Sequence, residues 1–309
     1  MRPEVVSVNI SPAKGTPKQP VGRAVLDGSG VVSDAHAGPW HRQVSLLSVE
    51  LIDAFGRTHG RTIAPGEFAE NITTAGLDLR GVAIRDRLIV GEAEVEITQI
   101  GKACHGDDCA IFRQVGKCLM PTDGLFARVV RGGPVRPGDA IEHRLTPLRI
   151  LVVTLSDRAS AGEYADRSGP RAEELLAEHF AGLRWHPRVE RTILPDEAER
   201  LRQVLLAARD AGVDLVFTLG STGLGPRDIA PEVVAGVCEK TVPGVMEHIR
   251  AKYGADNPRA RLSRSVAGVA GRMQVYALPG SPRAVGDYLA EILPVWEHAF
   301  FMIHGLDVH

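Results

Sequence analysis

The chain has 309 residues, a formal net charge of −2 and 44% hydrophobic residues, a composition typical of globular proteins. The balanced charge lacks the basic excess of a nucleic-acid-binding protein, and no stretch reaches the ~20 apolar residues of a membrane-spanning helix. The N-terminus lacks the apolar core of a secretion signal, so we expect a soluble, cytoplasmic protein, and the length predicts two domains.

Short β segments dominate the first half of the chain. Val6, Val8 and Ile10 alternate with polar residues, and residues 82–97 contain further short strands punctuated by glycines. One short helix is expected over residues 48–57, with Ser48 as its N-cap. This pattern predicts a β-barrel or β-sandwich domain.

A polar segment in this half contains two histidines. His36 and His41 lie near Asp34, and histidine is both a common metal ligand and a general base. Because no third ligand is close in sequence, we expect these side chains to form hydrogen bonds rather than a metal site. Residues 14–20 are expected to form a polar loop.

Three of the four cysteines cluster, at Cys104, Cys109 and Cys118. Their spacings match no common zinc site, and a chain this long is not a disulfide scaffold. Basic neighbours such as Lys102 and Arg113 could lower the pKa of Cys104, so that its thiolate reacts or binds a soft metal. Inert, buried thiols are the alternative.

The pattern changes near residues 143–147, where we place a domain boundary between residues 1–145 and 146–309. Residues 148–155 form an apolar run typical of a buried strand, and strands then alternate with helices. Ser168 and Asp196 are expected to cap two of these helices. The second domain is therefore predicted to be α/β with a mainly parallel sheet.

One glycine-rich stretch in this domain is typical of a phosphate site. The apolar run Leu215–Leu219 predicts a strand, Gly220–Gly225 contains three glycines, and Pro231 suits the start of a helix. Backbone N–H groups in such a loop can bind an anion. The loop is neither a P-loop nor a nucleophile elbow, and a glycine-rich connection with a helix cap is the alternative.

The C-terminal half, about residues 148–309, resembles the Mog family of molybdopterin adenylyltransferases. The matching segments are Ser156–Gly169, Leu194–Glu197, Gly220–Glu232 and Leu278–Arg283. The resemblance implies that Mg-ATP donates an adenylyl group to the phosphate of molybdopterin, with Asp196 and Asp228 as the catalytic residues around Mg²⁺. Residues implied to bind the pterin, ATP and their phosphates are Ser156, Asp157, Gly220, Ser221, Thr222, Gly223, Arg227, Pro279, Gly280, Ser281 and Arg283.

Two positions depart from the family pattern. Ser221 replaces a glycine, and Ala230 replaces a threonine before the Pro-Glu pair. If position 221 needs positive φ, the serine is strained, and Ala230 removes a hydroxyl group. Binding is then expected to survive while catalysis weakens.

The N-terminal half, about residues 1–145, resembles the MOSC domain of molybdenum cofactor sulfurases. The matching segments are Ser33–His36, Gly66–Ile72, Ile100–Cys104 and Gly138–Asp139, with Ser33 where glycine is common. The resemblance implies a mostly-β barrel that binds molybdenum cofactor or carries sulfur or metal through one cysteine. That cysteine aligns with Cys104, a possible molybdenum ligand.

These resemblances imply a fused protein of molybdenum cofactor biosynthesis, with molybdopterin, ATP and Mg²⁺ as ligands and other biosynthesis proteins as partners. A homo-oligomer is implied as well, since the Mog family is typically trimeric. Two alternatives stay open: a non-catalytic carrier or storage protein for the pterin, and a cysteine-based sulfur or metal transfer protein.

Overall fold

The computed structural model describes residues 2–102 and 117–306. The chain divides into two compact units. The first comprises the residues up to Thr146 together with Leu306 near the C-terminus, and the second is Pro147–Gly305. None of the helices in these residues is both long enough and apolar enough to cross a membrane.

The first unit is built mainly from short strands. In chain order they are β1 (Glu4–Ile10), β2 (Gln19–Val21), β3 (Ala24–Asp27), β4 (Gly30–Val31), β5 (Val44–Ser48), β6 (Ile72–Ala75), β7 (Arg87–Val90), β8 (Ala93–Ile100), β9 (Leu125–Arg131), β10 (Gly133–Val135) and β11 (Ile141–Arg144). One sheet has the order β11-β7-β8-β9-β5-β6-β1-β2, and a smaller sheet has the order β10-β3-β4. Strands β5 and β6 are parallel, so the large sheet is mixed.

The β-rich character of this unit is confirmed, but the predicted barrel is not. In the described residues the large sheet is open, with β11 and β2 as its edges. A single bridge between Glu4 and Ala140 joins β1 to the start of β11 without continuing into a ladder. Strand β2 suits an edge, because Pro20 has no N–H to donate to a further strand.

The helix predicted after Ser48 is confirmed. Helix α1 spans Val49–Thr58, and the Ser48 hydroxyl accepts a hydrogen bond from the N–H of Leu51. Its buried face packs on a core that contains Phe68 and Phe126. A 3₁₀ turn at Leu79–Gly81 follows β6.

Strands and helices alternate in the second unit. In chain order they are β12 (Leu148–Leu155), α2 (Asp157–Ser160), α3 (Ser168–Phe180), β13 (Pro187–Leu194), α4 (Ala198–Asp210), β14 (Leu215–Leu219), α5 (Ala230–Val237), β15 (Lys240–Thr241), α6 (Pro243–Asp256), a 3₁₀ turn (Pro258–Leu262), β16 (Val266–Ala270), β17 (Met273–Leu278) and α7 (Pro282–His304).

The sheet of this unit is mainly parallel, as predicted. Its order is β13-β12-β14-β17-β16-β15, in which the first four strands are parallel and the last two run antiparallel to their neighbours. The central strands β14 and β17 are buried along their whole length, which explains why most of their residues are apolar.

The parallel strands end at one edge of this sheet. Leu155 pairs with Leu194, and Leu219 pairs with Leu278, so four strands reach their carboxyl ends at nearly the same level. Ligands of open α/β sheets bind outside this edge. The four segments that resemble the Mog family all begin at this edge of the sheet.

The two predicted helix caps at this edge are wrong. Helix α4 begins at Ala198 with Glu197 before it and has no side-chain cap; the Asp196 carboxylate instead accepts from the N–H of Asp157, the first residue of α2. Ser168 is already the first residue of α3, whose first N–H groups, those of Ser168 and Gly169, donate instead to the Asp166 carboxylate at 2.9 and 3.1 Å. For α3, an acceptor two residues earlier in the chain serves as well as the predicted one, so sequence alone does not choose between them.

Candidate functional site

The glycine loop after β14 has a backbone that demands glycine at its first position. Gly220 has a φ of +113°, and a Cβ there would lie 2.5 Å from the carbonyl oxygen of Leu155. A side chain at position 220 would therefore push β14 away from the end of β12. The glycine is required by close packing as well as by its φ.

Ser221 adopts the left-handed conformation, with a φ of 57°. This conformation costs a residue with a Cβ roughly 1–2 kcal/mol. The Ser221 hydroxyl donates to the carbonyl oxygen of Arg227 at 2.9 Å and accepts from the N–H of Ile229 at 2.8 Å. These two bonds close the loop on itself and offset the strain.

Four consecutive N–H groups in this loop are unpaired. Within the described part of the chain, the amides of Ser221, Thr222, Gly223 and Leu224 have no hydrogen-bond acceptor. Unpaired backbone donors are uncommon unless water or a ligand accepts from them. A run of such groups forms a concave nest that favours an anion.

The Asp228 carboxylate lies against the two later glycines of the loop. Its Oδ2 accepts from the N–H of Gly225 at 2.7 Å, and a Cβ on Gly223 would lie 2.7 Å from the same oxygen. Gly223 therefore leaves room for the carboxylate beside the unpaired amides. The Oδ1 atom has no hydrogen-bond partner among the described residues.

A second loop, after β17, contacts the glycine loop through its backbone. A Cβ on Gly280 would lie 2.9 Å from the Cα of Gly220. The Ser168 hydroxyl donates to the carbonyl oxygen of Gly280 at 2.6 Å, and Ser281 caps α7 by accepting from the N–H of Ala284. The positive end of the 23-residue helix α7 is thereby fixed beside the glycine loop.

A cavity of about 460 Å³ lies between these loops, α6, the 3₁₀ turn and α7. Its wall combines unpaired amides, two arginines, three aspartates and two tyrosine rings. The lining residues are Ser221, Thr222, Gly223, Asp228, Tyr253, Asp256, Asn257, Arg259, Ala260, Leu262, Ser263, Pro279, Gly280, Ser281, Arg283, Ala284, Asp287 and Tyr288. Such a wall suits a ligand with both phosphate groups and a planar ring.

The structure brings most of the predicted site residues together around this cavity, but not all. Those that line it are Ser221, Thr222, Gly223, Asp228, Pro279, Gly280, Ser281 and Arg283. Those that do not line it are Ser156, Asp157, Asp196, Gly220 and Arg227. Gly220 supports the lining loops from behind, through its contact with Gly280.

Asp157, Asp196 and Arg227 form a separate network at the same sheet edge. The Arg227 guanidinium binds both carboxylate oxygens of Asp157 at 2.6 to 3.1 Å, and the hydrogen bond from Arg227 lowers the pKa of Asp157. Asp157 accepts a hydrogen bond from the N–H of Asp196 at 3.0 Å, and Asp196 accepts one from the N–H of Asp157 at 3.2 Å. Arg227 thus links Asp196 to the glycine loop. Ser156 caps α2 and lies 3.0 Å from the Tyr164 hydroxyl.

Sequence reasoning missed Arg264, which is bonded to the backbone of the glycine loop at several points. It lies between the 3₁₀ turn and β16 and binds three carbonyl oxygens of the loop. No motif marks it, because its partners in the loop are backbone carbonyl groups. The tyrosines of the cavity, Tyr253 and Tyr288, were missed for a similar reason, since they are spaced like core residues of helices.

In the first unit, the two polar segments of the MOSC resemblance meet around a buried lysine. Lys18, expected in a polar loop, has a side chain only 1% exposed and forms an ion pair with Asp34, which is fully buried. Burial alone would raise the pKa of Asp34, but hydrogen bonds from His36 and Lys18 hold that pKa well below its usual range. Burial lowers the pKa of Lys18. His36 lies 3.3 Å from both partners through its Nδ1 atom.

Glu70 completes this cluster from the second segment. Its Oε1 accepts from the N–H of Gly66 at 2.6 Å and from the Thr73 hydroxyl at 2.8 Å, and burial raises its pKa. A Cβ on Gly66 would lie 2.3 Å from the carbonyl oxygen of Lys18. Ser33, where glycine is common in the family, has a φ of 69°. The described residues of these segments therefore form a tightly packed polar cluster.

Of the three clustered cysteines, the structure describes only Cys118. Cys104 and Cys109 lie outside the described residues. Cys118 is half-buried and packs on the core beneath α1. In the second unit, burial raises the pKa of Cys238 to about 11, so this thiol is a poor nucleophile near neutral pH.

Comparison with known proteins matches both halves of the chain. A family model described as a probable molybdopterin binding domain matches residues 151–298, and a MOSC domain model matches residues 33–142. The chain is 35% identical over 160 residues to a molybdopterin adenylyltransferase of Helicobacter pylori, with 51% of this chain and 89% of that protein covered.

A longer relative matches the same half. A molybdenum cofactor biosynthesis bifunctional protein of Synechococcus elongatus is 35% identical over 173 residues, which cover 56% of this chain and 53% of that protein. The chain therefore spans about half the length of this bifunctional relative. Among solved structures, a molybdopterin biosynthesis Mog protein of Mycobacterium ulcerans is 34% identical, with 50% of this chain and 98% of that chain covered and a TM-score of 0.45.

Proposed function

Because the chain belongs to the molybdopterin adenylyltransferase family and carries a MOSC domain, we propose that it acts in molybdenum cofactor biosynthesis. In this proposal residues 146–309 transfer the adenylyl group of ATP to the phosphate of molybdopterin. Residues 1–145 receive or modify the product. The observation that carries the proposal is the row of unpaired amides at Ser221–Leu224, the first three of which belong to residues that line the same cavity as Asp228.

The chemistry requires that negative charge be held in place. A phosphate oxygen of the pterin attacks the α-phosphorus of ATP, a new P–O–P linkage forms, the α–β linkage breaks, and pyrophosphate leaves. Such transfers depend mainly on positioning and on electrostatic stabilisation. The amides of the glycine loop and the positive end of α7 offer fixed donors for the phosphates, and Arg283 adds a charge at the cavity wall.

The residues present also fit Mg²⁺, which would neutralise charge on the phosphates. Mg²⁺ binds one or two carboxylates together with phosphate oxygens. Asp228 suits this role because one carboxylate oxygen is fixed by the N–H of Gly225 while the other is unpartnered. Asp196 is the proposed second carboxylate, and one of its oxygens is likewise held by a backbone N–H.

For the first domain we propose cofactor, sulfur or metal handling through Cys104. Support comes from the family match and from the buried cluster of Lys18, Asp34 and Glu70 in the same domain. A homo-oligomer, a trimer by resemblance, is part of the same proposal and can be checked by mass photometry.

A non-catalytic carrier of molybdopterin is the second candidate, and Ala230 favours it. The family's threonine hydroxyl is absent, and Ala230 is completely buried in the apolar core beneath α5. Ala230 does not line the cavity, so the missing hydroxyl acts only through the glycine loop, where the N–H of Ala230 donates to the carbonyl oxygen of Ser221 at 3.0 Å. A loop that binds phosphate but is held less firmly would bind the pterin without turning over ATP.

Single-turnover adenylylation by the full chain distinguishes the two candidates. With Mg-ATP and molybdopterin, we expect pyrophosphate and adenylylated pterin to form, and Asp228→Asn to slow this step by roughly 100-fold or more. Asp210→Asn, at the exposed end of α4, is the matched control and should react at the rate of the unaltered protein. Tight pterin binding without product would establish the carrier. Full activity of Asp228→Asn would refute the assigned site.

A further inference from the structure

Arg264 is bonded to the glycine loop at four places. Its N–H donates to the carbonyl oxygen of Thr222 at 3.0 Å, its Nε to that of Gly223 at 2.7 Å, and its Nη2 to that of Asp228 at 2.8 Å. Its Nη1 forms an ion pair with Glu232, in the first turn of α5. One residue therefore holds both ends of the loop.

These bonds determine which way the loop amides point. In a planar trans peptide, the N–H of one residue points away from the carbonyl group of the residue before it. Because the carbonyl groups of Thr222 and Gly223 point to Arg264, the N–H groups of Gly223 and Leu224 point away from it. These two amides belong to the unpaired row, and Gly223 lines the cavity.

Arg264 itself does not line the cavity. Its bonds go to backbone carbonyl groups and to Glu232, so any effect on a ligand passes through the loop. It also joins two walls of the site, since it directly follows the 3₁₀ turn and Ser263, which line the opposite side.

The chemistry of the side chain explains why an arginine fills this position. A guanidinium offers five N–H donors in a rigid plane and keeps its charge at all ordinary pH values. It can therefore bond two carbonyl oxygens and a carboxylate at once. We call the side-chain bonds from Arg264 to the two carbonyl oxygens the fork. A lysine has one compact ammonium group and cannot reproduce it.

We propose that Arg264 is a positioning residue. It holds the carbonyl groups of the glycine loop towards its own side chain, and the amides of the loop therefore point towards the phosphates of the ligand. The inference rests on the proposed function for the identity of that ligand, but the ordering of the loop by Arg264 does not depend on catalysis. Loss of the fork disorders the loop and weakens phosphate binding even if the positive charge is kept.

Three variants of the full chain separate the fork from its charge. Arg264→Lys keeps the charge without the fork, Arg264→Gln removes both, and Glu232→Gln keeps the fork but removes the ion pair. The probes are hydrogen exchange of the amides of Gly225, Asp228 and Ile229, binding of inorganic pyrophosphate by calorimetry, and single-turnover adenylylation. Circular dichroism checks that each variant is folded.

We expect Arg264→Lys and Arg264→Gln to speed exchange of these amides and to weaken pyrophosphate binding by about tenfold or more, as loss of two to three charged hydrogen bonds implies. Glu232→Gln should remain within about twofold of the unaltered protein, since exposed ion pairs contribute little. The adenylylation rate at saturating ATP should fall in the two Arg264 variants and not in Glu232→Gln.

The outcomes also separate this inference from the proposed function. If Arg264→Lys exchanges, binds and reacts like the unaltered protein, the inference is wrong whatever the enzyme does. If the unaltered protein shows no adenylylation but the exchange and pyrophosphate binding respond as expected, the positioning role stands and the proposed reaction fails. If Glu232→Gln is as impaired as Arg264→Gln, the ion pair rather than the carbonyl fork orders the loop, and the inference is overturned.

Discussion

Gly280 and Gly220 touch through their backbones, since a Cβ on Gly280 would lie 2.9 Å from the Cα of Gly220. Gly220 in turn leaves no room for a Cβ beside the carbonyl oxygen of Leu155. Three strands, β12, β14 and β17, are therefore packed at their carboxyl ends without intervening side chains. The unpaired amides and the start of α7 are brought together by this contact.

Replacement of Gly280 by alanine should separate the two loops. A methyl group at 2.9 Å from backbone forces a shift, so we expect a loss of about 1–3 kcal/mol in the free energy of unfolding of the second unit. Pyrophosphate binding should weaken as well. Urea unfolding followed by tryptophan fluorescence measures the first effect, because Trp185 and Trp296 both lie in this unit. Gly236→Ala, a helical position with open space around it, is the control and should be neutral or stabilising.

The hydroxyl group and the conformation of Ser221 have opposing effects that two variants separate. Ser221→Ala keeps the strained φ and loses both hydrogen bonds, so we expect a loss of about 1–3 kcal/mol in unfolding free energy. Ser221→Gly loses the same bonds but relieves the strain, so it should stay within about 1 kcal/mol of the unaltered protein. Thermal unfolding of both proteins tests this order, and greater stability of the alanine variant would contradict it.

Removal of one partner of the buried ion pair in the first unit should be costly. Lys18→Met leaves the Asp34 carboxylate buried without its cation, and we expect a loss of about 3–5 kcal/mol. Lys18→Met combined with Asp34→Asn should be less damaging than Lys18→Met alone, because no uncompensated charge remains. The fluorescence of Trp40, in proteins whose other two tryptophans are changed to phenylalanine, reports unfolding of this unit. Equal stability of the single and double variants would show that the pair is not coupled.

Stability of the second unit should decline as the pH falls below about 6.5, the usual pKa of histidine. Burial lowers the pKa of His179, and its Nε2 accepts a hydrogen bond from the Trp296 indole at 3.0 Å, so the neutral ring is favoured in the folded state. The unfolded chain takes up a proton that the folded chain resists. The contribution of His179 to the free energy of unfolding is therefore full above the unfolded pKa and is lost as the pH falls towards the folded pKa.

Urea unfolding of the unaltered protein and of His179→Gln between pH 5 and 8 isolates this group. The difference between them should change with pH below 6.5 and be constant above it, and a constant difference throughout would rule out the effect.

Local sequence signals predicted the elements of the second unit well. The strand Leu215–Leu219 is confirmed residue for residue, because its length and its flanking turn formers limit it at both ends. Glycine often ends a helix, yet α6 continues past Gly254 to Asp256. Gly254 instead leaves space that the Arg261 side chain fills, so this glycine serves a tertiary contact that local sequence does not reveal.

Long-range partners were beyond the reach of the sequence. Nothing near Lys18 in the chain indicates that it pairs with Asp34 rather than with solvent, and its segment is polar throughout. Arg264 lies 36 residues after Asp228, and a bond to a backbone carbonyl leaves no complementary residue type to recognise. Family motifs identified the glycine loop itself, because there the chemistry depends on local backbone shape.

The fourfold attachment of Arg264 has a thermodynamic consequence. A flexible loop must give up conformational entropy before its amides can act together, at roughly 1–2 kcal/mol for each residue that becomes fixed. Here the strand end, the Ser221 hydroxyl and the arginine fork fix the backbone before any ligand arrives. We therefore expect phosphate binding to have a small entropic cost, so that its enthalpy is converted almost fully into affinity.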